Sequence, residues 1–169
     1  NTKIIFVSNP NNPTGTFISP EDILRFIEQV PSNVVVILDE AYYEYLPAEF
    51  QSASVSWINR FPNLLVTRTF SKIYGLASLR VGYGMANPEL ANILNRVRQP
   101  FNVNSFGLAA AAVALNDDAF VSASVAVNNE GMTALLSSIE SLGLKYIPSY
   151  GNFLTVEFEQ KGIEIYRRL

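Results

Sequence analysis

The sequence predicts an α/β fold: a mostly parallel sheet with flanking helices, followed by the start of a smaller α+β unit. Three observations carry this. Residues 4–7 and 34–38 are short apolar runs rich in β-branched residues, separated by an amphipathic helical pattern. That order of strand, helix and strand is a βαβ unit, whose strands pair in parallel. Two further runs, 64–66 and 81–85, extend the sheet, and helical patterns then dominate from residue 105.

Each element has its own local signature. The first strand runs into Asn9-Pro10-Asn11-Asn12-Pro13-Thr14-Gly15, a cluster of turn residues. Ser19 and Pro20 suit the cap and first turn of a helix, with Glu21 and Asp22 complementing its dipole. Ile23, Phe26, Ile27 and Val30 follow at helical spacing. The second strand ends at Asp39, and a short helix is expected over 54–61. The third strand ends in Thr67-Arg68-Thr69-Phe70-Ser71-Lys72, and Asn87-Pro88 opens a helix to about residue 97. After the break Gln99-Pro100-Phe101-Asn102-Val103-Asn104, helices are expected over 105–115 and 118–142. In the latter, Met132, Leu135, Leu136 and Ile139 recur at helical spacing and Gly143 fits just past its end. Residues 145–147 and 152–158 read as strands, and 163–169 as the opening of a helix. The domain reading is 1–104 for the large unit, 105–142 for a helical connection and 143–169 for the start of the small unit.

Composition narrows the chemistry. The 169 residues are 49% hydrophobic and 16% charged, enough to bury a core. Twelve Lys and Arg against 15 Asp and Glu leave a net charge of −3, with no general pull on nucleic acid or anionic membrane. The chain has no Cys and no His. Thiolate or imidazole metal sites and His-based nucleophilic catalysis are therefore excluded from it. Acid–base work near neutral pH falls to Lys, Tyr, a carboxylate or a cofactor. No apolar run approaches the roughly 20 residues that span a bilayer, and no secretory leader opens the sequence, so a cytoplasmic protein is expected. Asn1 is not an initiator Met, a strand begins almost at once, and the final helix is cut in mid-pattern. A piece of a longer enzyme is expected on these grounds.

Three strand ends carry unusual polar sequences: Asn12-Pro13-Thr14-Gly15, Asp39-Glu40-Ala41-Tyr42 and Thr69-Phe70-Ser71-Lys72, with Arg80 eight residues further on. In open α/β sheets, ligands bind at the carboxyl ends of strands. Taken singly, each has a plainer role: a turn, a helix cap, a solvated lysine. As an ordered set they resemble the fold-type I pyridoxal-phosphate aminotransferases, over essentially the whole chain. The run from Ser71 to Gly84 and the segment Arg98-Gln99-Pro100-Phe101-Asn102-Val103-Asn104 look most like the histidinol-phosphate branch. Thr69 departs from the Ser of many members but keeps the hydroxyl.

The resemblance implies roles residue by residue. Lys72 matches the lysine that holds pyridoxal 5'-phosphate and then serves as the base. Asp39 matches the carboxylate beside the pyridine nitrogen, and Asn12 and Tyr42 the donors to the ring's phenolic oxygen. Thr69, Ser71 and Arg80 match the phosphate contacts. Tyr42 could instead simply pack with Tyr43 and Tyr45, and Asp39 could cap the turn that follows it. Asn152 looks like the small-domain asparagine facing the substrate, and Asn104 and Tyr74 are further candidates near the site. The resemblance implies a homodimeric enzyme exchanging an amino group between histidinol phosphate and 2-oxoglutarate, both small-molecule substrates, with the isolated 169 residues inactive. An aromatic aminotransferase, a threonine-phosphate decarboxylase and a non-catalytic binding module stay open as alternatives.

Overall fold

Strand and helix form where apolar spacing and capping agree. The computed structural model of the chain describes residues 1–51 and 53–168. Among these, β1 (Ile4–Ser8), β2 (Val35–Asp39), β3 (Leu64–Thr69) and β4 (Gly82–Ala86) form one sheet in that order. β1, β2 and β3 are parallel, in the register Ser8 to Asp39 and Asp39 to Thr67. β4 runs antiparallel to β3, with Thr69 opposite Gly82. The reason lies in the connection. A parallel return needs a crossover, usually helical, whereas residues 70–81 fold straight back, with Phe70 N–H donating to the Val81 carbonyl at 3.2 Å.

Between β1 and β2 lies α1 (Pro20–Gln29), capped by the Ser19 hydroxyl, which accepts from Asp22 N–H at 3.1 Å. Its stripe packs one face of the sheet: Ile23 and Ile27 are buried against Val36, Leu38, Leu64, Val66 and Ile58. The short helix after β2 is α2 (Ser54–Trp57), which stops before the expected residue 61. Pro62 disfavours helical backbone at Phe61, and the chain closes there in turns, with Phe61 N–H donating to Trp57. The other face of the sheet is uncovered at β1, where Phe6 is 73% exposed. Strand alternation puts Ser8, Asp39 and Thr67 on that face, at its carboxyl end.

Beyond the sheet come α3 (Pro88–Val97), α4 (Ser105–Ala114) and α5 (Asp118–Ser141), then the hairpin of β5 (Lys145–Ile147) and β6 (Thr155–Glu157), and α6 (Gly162–Tyr166). Ala111 of α4 is buried with Phe70 and Val81, so α4 is packed on the first unit. α4 and α5 meet at 82°, and among the described residues no single helix is long and apolar enough to cross a membrane. The strand expected over 152–158 is only β6, because residues 151–154 bend back toward the sheet.

That return contact gives the Asn12-Pro13-Thr14-Gly15 loop its most constrained position. Gly15 is buried at φ +73°, and a Cβ there would lie 2.2 Å from Ser149 Oγ. Gly15→Ala is expected to cost at least about 2 kcal/mol, from left-handed backbone strain plus the clash. Thermal melting should show a fall of roughly 4–8 °C. An unchanged melt would mean that the loop and Ser149 are free to separate.

Candidate active site

The candidate residues stand at or just beyond the carboxyl ends of three adjacent strands: Asn12 after β1, Asp39 at the end of β2 and Thr69 at the end of β3. The loops they open carry Tyr42, Ser71, Lys72 and Arg80. Two of these side chains, from the first and second loops, are bonded directly. Asn12 Nδ2 donates to the Tyr42 hydroxyl at 2.9 Å. Since the phenol oxygen accepts that bond, its own proton is free for another acceptor.

Tyr42 is 3% exposed, so its ring packs in the core while its hydroxyl meets the Asn12 amide. The ring lies tilted against Tyr45, at 6.2 Å between centroids, and meets Phe153 edge-on at 5.2 Å. Lys72, from the third loop, places its ammonium 5.3 Å from the Tyr42 ring centroid, within cation–π range. Among the described residues Lys72 makes no ion pair, so no carboxylate claims its amine.

Asp39 Oδ1 accepts from Ala41 N–H at 3.2 Å and from the Thr67 hydroxyl at 3.3 Å. The cap role is thus real, and the second oxygen of the carboxylate is left for another donor. Thr67 had no place in the sequence reading. Its signal was the spacing Thr67, Thr69 along β3, two hydroxyls on one face. Thr69 Oγ1 accepts from Ser71 N–H at 3.1 Å, closing a local turn and leaving the hydroxyl proton for another acceptor. Arg80 sits in the left-handed region at φ 53° and donates from Nη1 to Ala77 O at 2.9 Å. It occupies the far limb of the 70–81 loop and is exposed, with no bond to Thr69 or Ser71.

Other candidates fall into supporting places. Asn104 caps α4, accepting from Gly107 N–H at 2.7 Å, and its amide donates to Leu79 O at 3.0 Å. It ties α4 to the turn that precedes Arg80. Tyr74 packs on Phe70 at 5.0 Å, and burial above all pushes its phenol up to about 12. Such a phenol stays protonated at neutral pH and is no base there. Asn152 is exposed and hydrogen-bonds to no described residue, whereas its neighbour Phe153 reaches Tyr42.

Beneath the site lies an ion pair that the sequence reading did not anticipate. Arg68 donates from Nε and Nη2 to Glu40 Oε2 at 2.9 and 2.8 Å, with the two side chains 15% and 4% exposed. The Tyr43 ring stacks on the guanidinium at 3.6 Å. Burial works against the Arg68 charge, but Glu40 more than offsets it, and the guanidinium pKa is raised. These residues follow Asp39 and precede Thr69, so the pair pins together the two strand ends that carry them.

As a donor set, the residues offer one unpaired primary amine, a half-satisfied carboxylate, a phenol with a free proton, two hydroxyls and a guanidinium. That inventory suits a ligand with an aldehyde, a basic ring nitrogen, a phenolic oxygen and a phosphate.

Comparison with known proteins agrees with that chemistry. Residues 1–162 match the family described as aminotransferase class I and II. A histidinol-phosphate aminotransferase of Nitrosospira multiformis is 54% identical over 154 residues, covering 91% of this chain and 39% of that protein. The chain spans less than half the length of the curated relatives it matches. The crystal structure of the Sinorhizobium meliloti histidinol-phosphate aminotransferase, in complex with pyridoxal-5'-phosphate, superposes with a TM-score of 0.87 at 31% identity, over 93% of this chain and 42% of that one. An L-threonine-O-3-phosphate decarboxylase from Porphyromonas gingivalis shares the fold, with a TM-score of 0.81 at 24% identity over 94% of this chain and 48% of its own. Shape alone therefore does not choose between transfer and decarboxylation.

Proposed function

The chain belongs to the class I and II aminotransferases, and from that premise we propose that it holds the cofactor and the reacting lysine of an enzyme exchanging an amino group between histidinol phosphate and 2-oxoglutarate. The observation that carries the reading is the linked trio of Lys72, Tyr42 and Asn12 at the carboxyl ends of the sheet. The 54% identity to a histidinol-phosphate aminotransferase supports the choice of substrate. Residues 1–104 form the cofactor-binding part, 105–142 the connection and 143–169 the opening of the small domain. The enzyme acts as a homodimer in the cytoplasm, where a charged phosphorylated substrate is retained.

Pyridoxal 5'-phosphate, when bound, supplies the electron sink that acidifies the substrate Cα–H. Lys72 would hold it through its amine and would be the base that takes up the proton from the substrate Cα. Asp39, steadied by Thr67 and Ala41, favours a proton on the ring nitrogen. Tyr42 and Asn12 donate to the phenolic oxygen. Thr69, Ser71 and Arg80 bind the phosphate, the guanidinium bringing several N–H groups to one anion.

Products decide the reaction. Incubated with the phosphorylated amino alcohol and 2-oxoglutarate, the cofactor-loaded enzyme is expected to form glutamate in step with loss of the amine. Carbon dioxide release from a phosphorylated amino acid, without glutamate, would assign it to the decarboxylases instead. Absence of any visible absorbance after loading would leave a non-catalytic binding module.

A further inference from the structure

The segment 149–155 reaches back onto the two residues assigned above to the cofactor's phenolic oxygen. Behind Asn12, the Thr155 hydroxyl donates to the carbonyl of Pro13, a partner 142 positions away in the chain. Two residues further on, Tyr150 N–H donates to the Gly15 carbonyl at 2.8 Å. Behind Tyr42, Phe153 meets the ring edge-on at 5.2 Å and 75°. The Tyr150 ring completes the clasp between Phe17 and Phe50, at 5.2 and 5.9 Å.

The 12–15 loop has bonds of its own, Gly15 N–H to Asn11 O and Asn11 N–H to Thr16 O. Those hold its shape. They do not fix its position relative to Tyr42, which stands on a different loop. The loop bases are joined by Asn9 N–H donating to Asp39 O at 2.9 Å and the flanks by the Phe17–Phe50 ring contact at 5.4 Å. At the donor pair itself, the contacts besides the 2.9 Å bond of Asn12 to Tyr42 include those from 149–155.

From this arrangement we propose that Thr155 and Phe153 are positioning residues for the Asn12–Tyr42 donor pair, so that the segment leading into β6 sets how well that pair serves the cofactor's phenolic oxygen. The inference rests on the roles given to Asn12 and Tyr42 above. Donors that hold negative charge on this oxygen weaken its grip on the proton of the neighbouring lysine–cofactor nitrogen. Loosening them raises the pH at which that proton is lost and the visible band changes.

The experiment is a pH titration of visible absorbance on the pyridoxal 5'-phosphate-loaded enzyme, with a thermal melt of each variant beside it. Thr155→Val, which keeps the shape and removes the hydroxyl, is expected to move the transition up by about half a pH unit. Thr155→Ser should titrate as the parent does. Phe153→Leu, which releases the Tyr42 ring, should shift it in the same direction as Thr155→Val. Asn12→Ala should shift it further, and Thr155→Val added to Asn12→Ala should add little, because the group it positions is gone. If Thr155→Val and Phe153→Leu lower the melting temperature but leave the titration in place, the segment is merely structural and the proposal is overturned. Full additivity with Asn12→Ala overturns it as well. Should Thr155→Val not fold, Phe153→Leu decides alone. A parent enzyme that takes up no cofactor would bring down the functional reading itself, an outcome visible before any variant is made.

Discussion

Replacing Lys72 with alanine is expected to lower transamination by at least about a thousandfold, since both the covalent anchor and the proton carrier are lost. The geometry singles this residue out. Its amine lies over the Tyr42 ring at 5.3 Å and has no carboxylate partner among the described residues. The three other lysines stand elsewhere: Lys3 just before β1, Lys145 in β5 and Lys161 just before α6. Borohydride reduction of the cofactor-loaded enzyme should fix the label on the peptide containing Lys72, and Lys72→Ala should remove it. Label found mainly at Lys3, Lys145 or Lys161 would falsify the assignment.

The largest expected effect on stability is at Glu40. Glu40→Gln leaves the Arg68 guanidinium, 15% exposed, without its anionic partner. Removing one member of a buried pair costs about 3–5 kcal/mol, a fall in melting temperature of roughly 10 °C for a chain of this size. Replacing both residues by methionine removes the stranded charge and should recover much of the loss. Single and double variants that both melt within about 2 °C of the parent would show that the pair is not buried as described. Because Glu40 directly follows Asp39 and Arg68 directly precedes Thr69, Glu40→Gln should also weaken cofactor retention, which absorbance after gel filtration would report.

The sheet was legible in the sequence because local rules decide it. A β-branched run, a capped amphipathic stripe and a second run leave little choice but a parallel pair, and Ile23 and Ile27 do pack on Val36 and Leu38. The direction of β4 was not legible, since it depends on whether residues 70–81 cross over or fold back. The candidate site residues were singled out because their types and order resemble a family's, and the structure places Asn12, Asp39 and Thr69 at or just beyond the ends of adjacent strands. Thr67 and the Glu40–Arg68 pair went unseen. A hydroxyl or a charge next to a recognised motif carries no mark of its partner until the strands are laid in register.

The sequence by itself thus determined the fold class, the helix starts and the chemical inventory, because each rests on neighbours within a few residues: Ser19 on Asp22, Asn104 on Gly107, Thr69 on Ser71. Only the tertiary structure decided which of these groups act together. The Asn12–Tyr42 bond spans 30 positions and the Thr155–Pro13 bond 142. Bonds over such distances form only after burial of the core has met the entropy of closing long loops. That is why the sequence can name the donors, while the packed chain sets where they point.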